Sequence, residues 1–283
     1  MPTDPAFVHV TWRHTTSAYG PLFTLATYPL AWLPVGVAAY VLKAFSAAAA
    51  LATALLVSRL APARGIDSLR AAAFVALNPL VLVHVVGGPH NDAIAVLLMT
   101  LGVGGVLTAR ESSAGAAFVA AIAVKASTGV AAPFALLGAS RKRRLVAGAL
   151  LALALTVAVS NLAFGWHWLD AFTLIGGNQG HTSHLSIPTT AARLTGLDPD
   201  TTRIAAGALF TALIVYLLIW THRGGDWLRA TAWATTGLLF ATAWLLPWYL
   251  LWPLPAAALS RDRALQLLVL ALTAYQLSAR IPL

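Results

Sequence analysis

Three groups of residues carry most of the chemistry this sequence could perform. Gly87-Gly88-Pro89-His90-Asn91-Asp92 forms a tight turn leading into an apolar stretch that reads as a helix. A helix N-terminus offers free backbone N–H groups and the positive end of a dipole, a place for a phosphate or for a capping Asn91 or Asp92. Lys125 stands inside another apolar stretch, where a cation costs at least ~2.5 kcal/mol unless it is paired or hydrated. It is read as a point charge for a lipid-linked phosphate, with snorkelling to the interface as the bland reading. Trp12-Arg13-His14-Thr15, followed by Tyr19-Gly20-Pro21-Leu22, is a polar-aromatic stretch that could close over a site or anchor in the interface.

Two further clusters have weaker chemistry. Trp248, Tyr249 and Trp252 in the Pro247–Trp252 run fit an aromatic belt, or an apolar groove for a carrier lipid. His181 and His184 are spaced to share a helical face, but no carboxylate has convincing metal-ligand spacing, so no metal site is assigned. His184 is taken with Arg13, His14, Tyr19, His90, Asn91 and Lys125 as a residue that contacts substrate.

The elements that must hold these residues follow from composition. Of 283 residues, 59% are hydrophobic and 10% charged, with a mean hydropathy of +0.78. These values exclude a soluble globular enzyme, a disordered tail and a coiled coil, and predict an all-α, polytopic transmembrane helix bundle. There is no cysteine, hence no disulfide scaffold and no thiolate chemistry. Spans are predicted over 35–58, 69–86, 93–109, 145–164, 204–221, 230–246 and 264–279, with a turn and a short returning helix after Leu246. As a single transmembrane domain, the chain divides into an outer loop and short helix (1–34), membrane helices (35–164), an outer loop (165–202) and further membrane helices (203–283).

Charge placement orients the bundle. The net charge of +9 lies in short runs between apolar segments, a pattern of cytoplasmic loops rather than of nucleic-acid binding. Placing the loops around Arg59–Arg70, Arg110, Arg141–Arg144, Arg223–Arg229 and Arg261–Arg263 in the cytoplasm accounts for 12 of the 18 Lys and Arg residues. Residues 112–139 then leave and return on the same side, and these 28 residues are few for two full crossings. They read as a hairpin of two short segments broken near Ser127-Thr128-Gly129, with Lys125 at the tip. Seven of the eight histidines fall on or near the opposite, extracytoplasmic face.

WRHTTSAYGPL, LNPLVLVHVVGGPHNDA, AVKAS, SHLSIPTTAARLTG and LPWYLLW occur in an order that resembles the actinobacterial polyprenol-phosphate-mannose-dependent α-(1→6)-mannopyranosyltransferases, of the GT-C superfamily. The resemblance runs from about Trp12 to Ala258. It implies a plasma (inner) membrane enzyme working extracytoplasmically, with polyprenyl-phosphate-mannose as donor and a lipoglycan such as lipomannan as acceptor. It implies inverting single displacement and no certain cofactor, with a divalent metal left open. Enzymes of this kind usually place an essential aspartate in the loop after a first membrane helix. The chain reads as starting within that loop, which leaves Asp92 as the best remaining acid, better suited to positioning than to catalysis. An arabinosyl or other sugar transferase, a transporter or flippase, and an inactive partner subunit are the alternative readings.

Overall fold

The computed structural model describes Ser17, residues 19–171 and residues 181–278. The described residues form helices and connecting turns, with no strand among them. Three helices are long and apolar enough to cross a membrane, and they lie over Val35–Arg64, Lys142–Leu169 and Pro199–His222. Shorter apolar helices pack between them, making the chain a helical membrane bundle.

The helices are α1 (Pro21–Thr27), α2 (Val35–Leu60), α3 (Ser68–Ala76), α4 (Asp92–Leu107), α5 (Glu111–Val124), α6 (Ala132–Gly138), α7 (Lys142–Phe164), α8 (Ile187–Thr195), α9 (Pro199–His222), α10 (Trp227–Ala241), α11 (Leu254–Leu259) and α12 (Arg263–Ser278). Helix α5 lies between α4 and α7. Its crossing with α7 is backbone against backbone. A Cβ on Gly115 would stand 2.0 Å from the Leu145 carbonyl oxygen, and one on Gly148 would stand 2.0 Å from that of Ser112. Small residues permit such approach where lipid on every side supplies no hydrophobic drive for association.

Two predicted spans depart from regular helix. The segment 69–86 is not one helix: α3 ends at Ala76, and a π-helical turn follows over Val81–Val86. Pro79 has no N–H to continue the ladder. The buried Asn78 takes up the break, accepting from the Leu80 N–H at 3.0 Å and donating to Thr273 Oγ1 at 3.0 Å. The span beginning at Trp227 ends at Ala241, five residues before the expected turn, and a 3-10 turn over Pro247–Leu251 leads into α11. Within the segment read as an outer loop, Ser186 caps α8 and Asp198 caps α9.

The basic loops meet at one end of the bundle. Arg64 pairs with Asp226 and reaches the Leu259 carbonyl, while Arg229 pairs with Asp262 at 2.7 Å. Ser140 Oγ donates to Glu111 Oε1 at 2.6 Å, closing the α5–α6 segment at the same end. Gly138 fits directly under the Trp227 ring, which joins the two groups of loops.

Candidate functional site

Four of the seven aspartates among the described residues serve helix caps. Asp67, Asp198, Asp226 and Asp262 each accept the backbone N–H that opens a following helix. Asp92 does not. It is the first residue of α4, but the cap residue Asn91 makes no side-chain cap bond, and the Asp92 carboxylate turns away into the bundle. The capping explanation of the His90-Asn91-Asp92 turn therefore fails, and its side chains are spent elsewhere.

Asp92 Oδ2 lies 2.9 Å from Lys125 Nζ, and Asp92 Oδ1 accepts from the Trp252 indole N–H at 2.6 Å. The Asp92 side chain is 1% exposed, and that of Lys125 18%. Lys125 reaches it from a break: α5 ends at Val124, Lys125 is extended (φ −152°, ψ 115°), and a 3-10 turn follows over Ala126–Ala131. Its ammonium also stands 4.6 Å from the centre of the Tyr249 ring and 5.5 Å from that of Trp252. Those two rings stack with centroids 4.3 Å apart. The cation is thus held by one carboxylate and two aromatic faces, which offsets the cost of its position.

The turn around this pair is fixed from three sides. Ser46 Oγ of α2 donates to the His90 carbonyl at 2.8 Å. The His90 ring stacks on Trp248 at 3.7 Å. The Val124 carbonyl, left free where α5 stops, accepts from Asn91 Nδ2 and from the Gly20 N–H, both at 3.3 Å. Glycine is required at position 20, since a Cβ there would meet the Ala123 carbonyl oxygen at 2.0 Å. Asn91 Oδ1 is buried and has no partner. Burial, more than the nearby Lys125 and His84, pulls the His90 pKa down, against the opposing pull of Asp92. Burial and the Asp92 charge both push the Tyr19 phenol up.

The structure therefore joins Tyr19, His90, Asn91, Asp92, Lys125, Trp248, Tyr249 and Trp252. Two placements differ from the rest. Trp252, expected in an apolar groove for a carrier lipid, is 6% exposed and is a hydrogen-bond donor to Asp92. His184 lies in a turn, not a helix, and meets the Arg193 guanidinium rather than the Asp92–Lys125 pair. Its segment is nonetheless tied to the stretch between α10 and the Pro247–Leu251 turn, because Ser183 bonds to both ends of Leu245 and to Ala243. Arg13 and His14 lie outside the described residues. No group of three His, Cys, Asp or Glu side chains able to hold a metal occurs among the described residues. Ser46 and the Val124 carbonyl were invisible to motif reading, since neither carries a sequence signal.

Comparison with known proteins is consistent in one direction. A family described as "Alpha-(1->6)-mannopyranosyltransferase, N-terminal domain" matches residues 6–141. Alpha-(1->6)-mannopyranosyltransferase A of Mycobacterium tuberculosis is 32% identical over 282 residues, covering 87% of this chain and 53% of that protein. The chain is thus similar to proteins described as alpha-(1->6)-mannopyranosyltransferases. The protein of the same description from Corynebacterium glutamicum is 30% identical over 128 residues, 44% of this chain and 26% of the relative. The chain thus spans about half the length of the first of these relatives and a quarter of the second. No solved structure matches. The matched residues 6–141 include both halves of the Asp92–Lys125 pair.

Proposed function

We propose that the chain carries the donor-binding part of a membrane mannosyltransferase, which takes mannose from polyprenyl-phosphate-mannose and adds it in α-(1→6) linkage to a lipoglycan acceptor. The observation that supports this is the Asp92–Lys125–Trp252 group, a caged cation beside a helix start, in a chain similar to proteins named alpha-(1->6)-mannopyranosyltransferase A. In the reaction, the acceptor hydroxyl oxygen attacks the sugar's anomeric carbon as the bond to the phosphate oxygen breaks. The bonding pair leaves with the phosphate, and Lys125 stabilises that charge. One displacement converts a β-linked donor into an α-linked product. The hydroxyl proton needs a base within hydrogen-bond reach. Asp92, with both oxygens already engaged, does not supply it in this arrangement. The reaction face is extracytoplasmic, opposite the loops joined by Arg64–Asp226 and Arg229–Asp262.

The test supplies radiolabelled polyprenyl-phosphate-mannose and an α-mannoside acceptor to membranes containing the chain, and to membranes containing a form extended to the length of its relatives. Mannose transfer that is lost with Lys125→Gln supports the reading. Transfer from a pentosyl-phosphate lipid but not from the mannosyl donor overturns it.

A further inference from the structure

The mechanism above leaves the Trp252 N–H without a role. Trp252 is buried, and its nitrogen could have been left facing the bundle or replaced by an apolar ring. Instead it closes on Asp92 Oδ1 at 2.6 Å, while the other carboxylate oxygen takes Lys125 at 2.9 Å. Each carboxylate oxygen therefore has one donor, and the carboxyl plane cannot rotate without breaking a charge-assisted bond. Lys125 sits on an extended residue between two helical segments; its backbone N–H and carbonyl are both bonded, but its four-carbon side chain is flexible. Its position is set mainly by what its ammonium binds. One N–H goes to Asp92; the Lys125 side chain is 18% exposed against 1% for Asp92, so the lysine is the more accessible partner of the pair. An incoming anion would meet the positive end of this pair first.

We propose that Trp252 is a positioning residue for Lys125: its N–H locks the Asp92 carboxylate, and the carboxylate holds the ammonium where the phosphate of a lipid-linked donor enters. This rests on the reading that such a phosphate binds at this site. Asp92 then acts as a buried counter-ion, and Trp252 never touches the substrate.

The experiment measures binding of polyprenyl monophosphate, which carries no sugar, and of the uncharged polyprenol to the purified full chain in detergent. Trp252→Phe keeps the ring and removes one donor. It is expected to weaken polyprenyl monophosphate binding roughly tenfold, the scale of one hydrogen bond to a charged group, and to leave polyprenol binding unchanged. In a Lys125→Gln background the same substitution is expected to have no further effect. Equal weakening for both lipids, or the same loss in both backgrounds, overturns the proposal. Should Trp252→Phe not yield folded protein, Trp252→His, which can still present an N–H, carries the test. Retained preference for the phosphate over the alcohol supports the lock, and its loss overturns it. Coupling without any mannose transfer would overturn the mannosyl reading and leave the lock standing. Mannose transfer with additive effects would do the reverse.

Discussion

Lys125 and Asp92, 33 residues apart in sequence, meet at 2.9 Å because the residue after α5 and the first residue of α4 face each other where both helices stop. Removing one partner of such a pair costs more than removing both, since it strands a buried charge. Lys125→Met is expected to destabilise the protein by about 3–5 kcal/mol. The double variant with Asp92→Asn should recover most of that loss. Thermal unfolding in detergent checks the stability, and neither variant should regain donor-phosphate binding.

Gly20 tests whether the segment ahead of α1 belongs to the site. A side chain at that position meets the Ala123 carbonyl oxygen, so Gly20→Ala must displace either the Tyr19–Pro21 segment or the end of α5. The expected cost is about 1–3 kcal/mol. Donor affinity should fall with it, because the Val124 carbonyl loses one of its two donors. A variant with wild-type stability and binding would detach this segment from the site.

Asp262 gives the basic end a pH signature. Desolvation pushes its carboxyl up, but the Leu265 N–H, the Trp233 indole and Arg229 together outweigh it and hold the pKa below the usual aspartate value. A carboxyl depressed in the folded state contributes stability above its unfolded pKa and loses it as pH falls through the folded one. Stability should therefore decline on acidification, and Asp262→Asn should flatten that acid-side slope while lowering stability at neutral pH. Unfolding midpoints measured from neutral to acid pH in both proteins decide this.

The absence of cysteine makes sidedness directly measurable. Single substitutions Arg223→Cys, beside the joined basic loops, and His167→Cys, at the far end of α7, should react oppositely with a membrane-impermeant maleimide added to intact cells. His167→Cys is expected to label and Arg223→Cys to be protected. The reverse pattern would invert the bundle and place the Asp92–Lys125 site on the cytoplasmic side.

The helical class was legible because long charge-free runs have few other stable forms in lipid. The break at Lys125 was legible from length, since residues between two same-side arginines were too few for two crossings. The break at Asn78-Pro79 was under-read: hydropathy registers an apolar run but not the loss of one N–H. Within the site, His90, Asp92 and Lys125 stood out as polar residues in costly places. The roles of the partners did not. Trp252 reads from sequence as a belt aromatic, and only its position relative to Asp92 reveals a hydrogen-bond donor. His184 was drawn in by residue type, although its ring is taken by Arg193.

Helix α5 holds 14 residues and α4 holds 16, lengths of about 21 and 24 Å at the usual rise, against a hydrocarbon layer of about 30 Å. Neither helix is long enough to reach from one headgroup layer to the other, so in a bilayer the helix ends that carry Lys125 and Asp92 would lie within its thickness. An anionic head reaching that pair, as the proposed donor site requires, would leave part of its hydration behind. In that sheltered place a single ammonium acts at far greater strength than it would in open water.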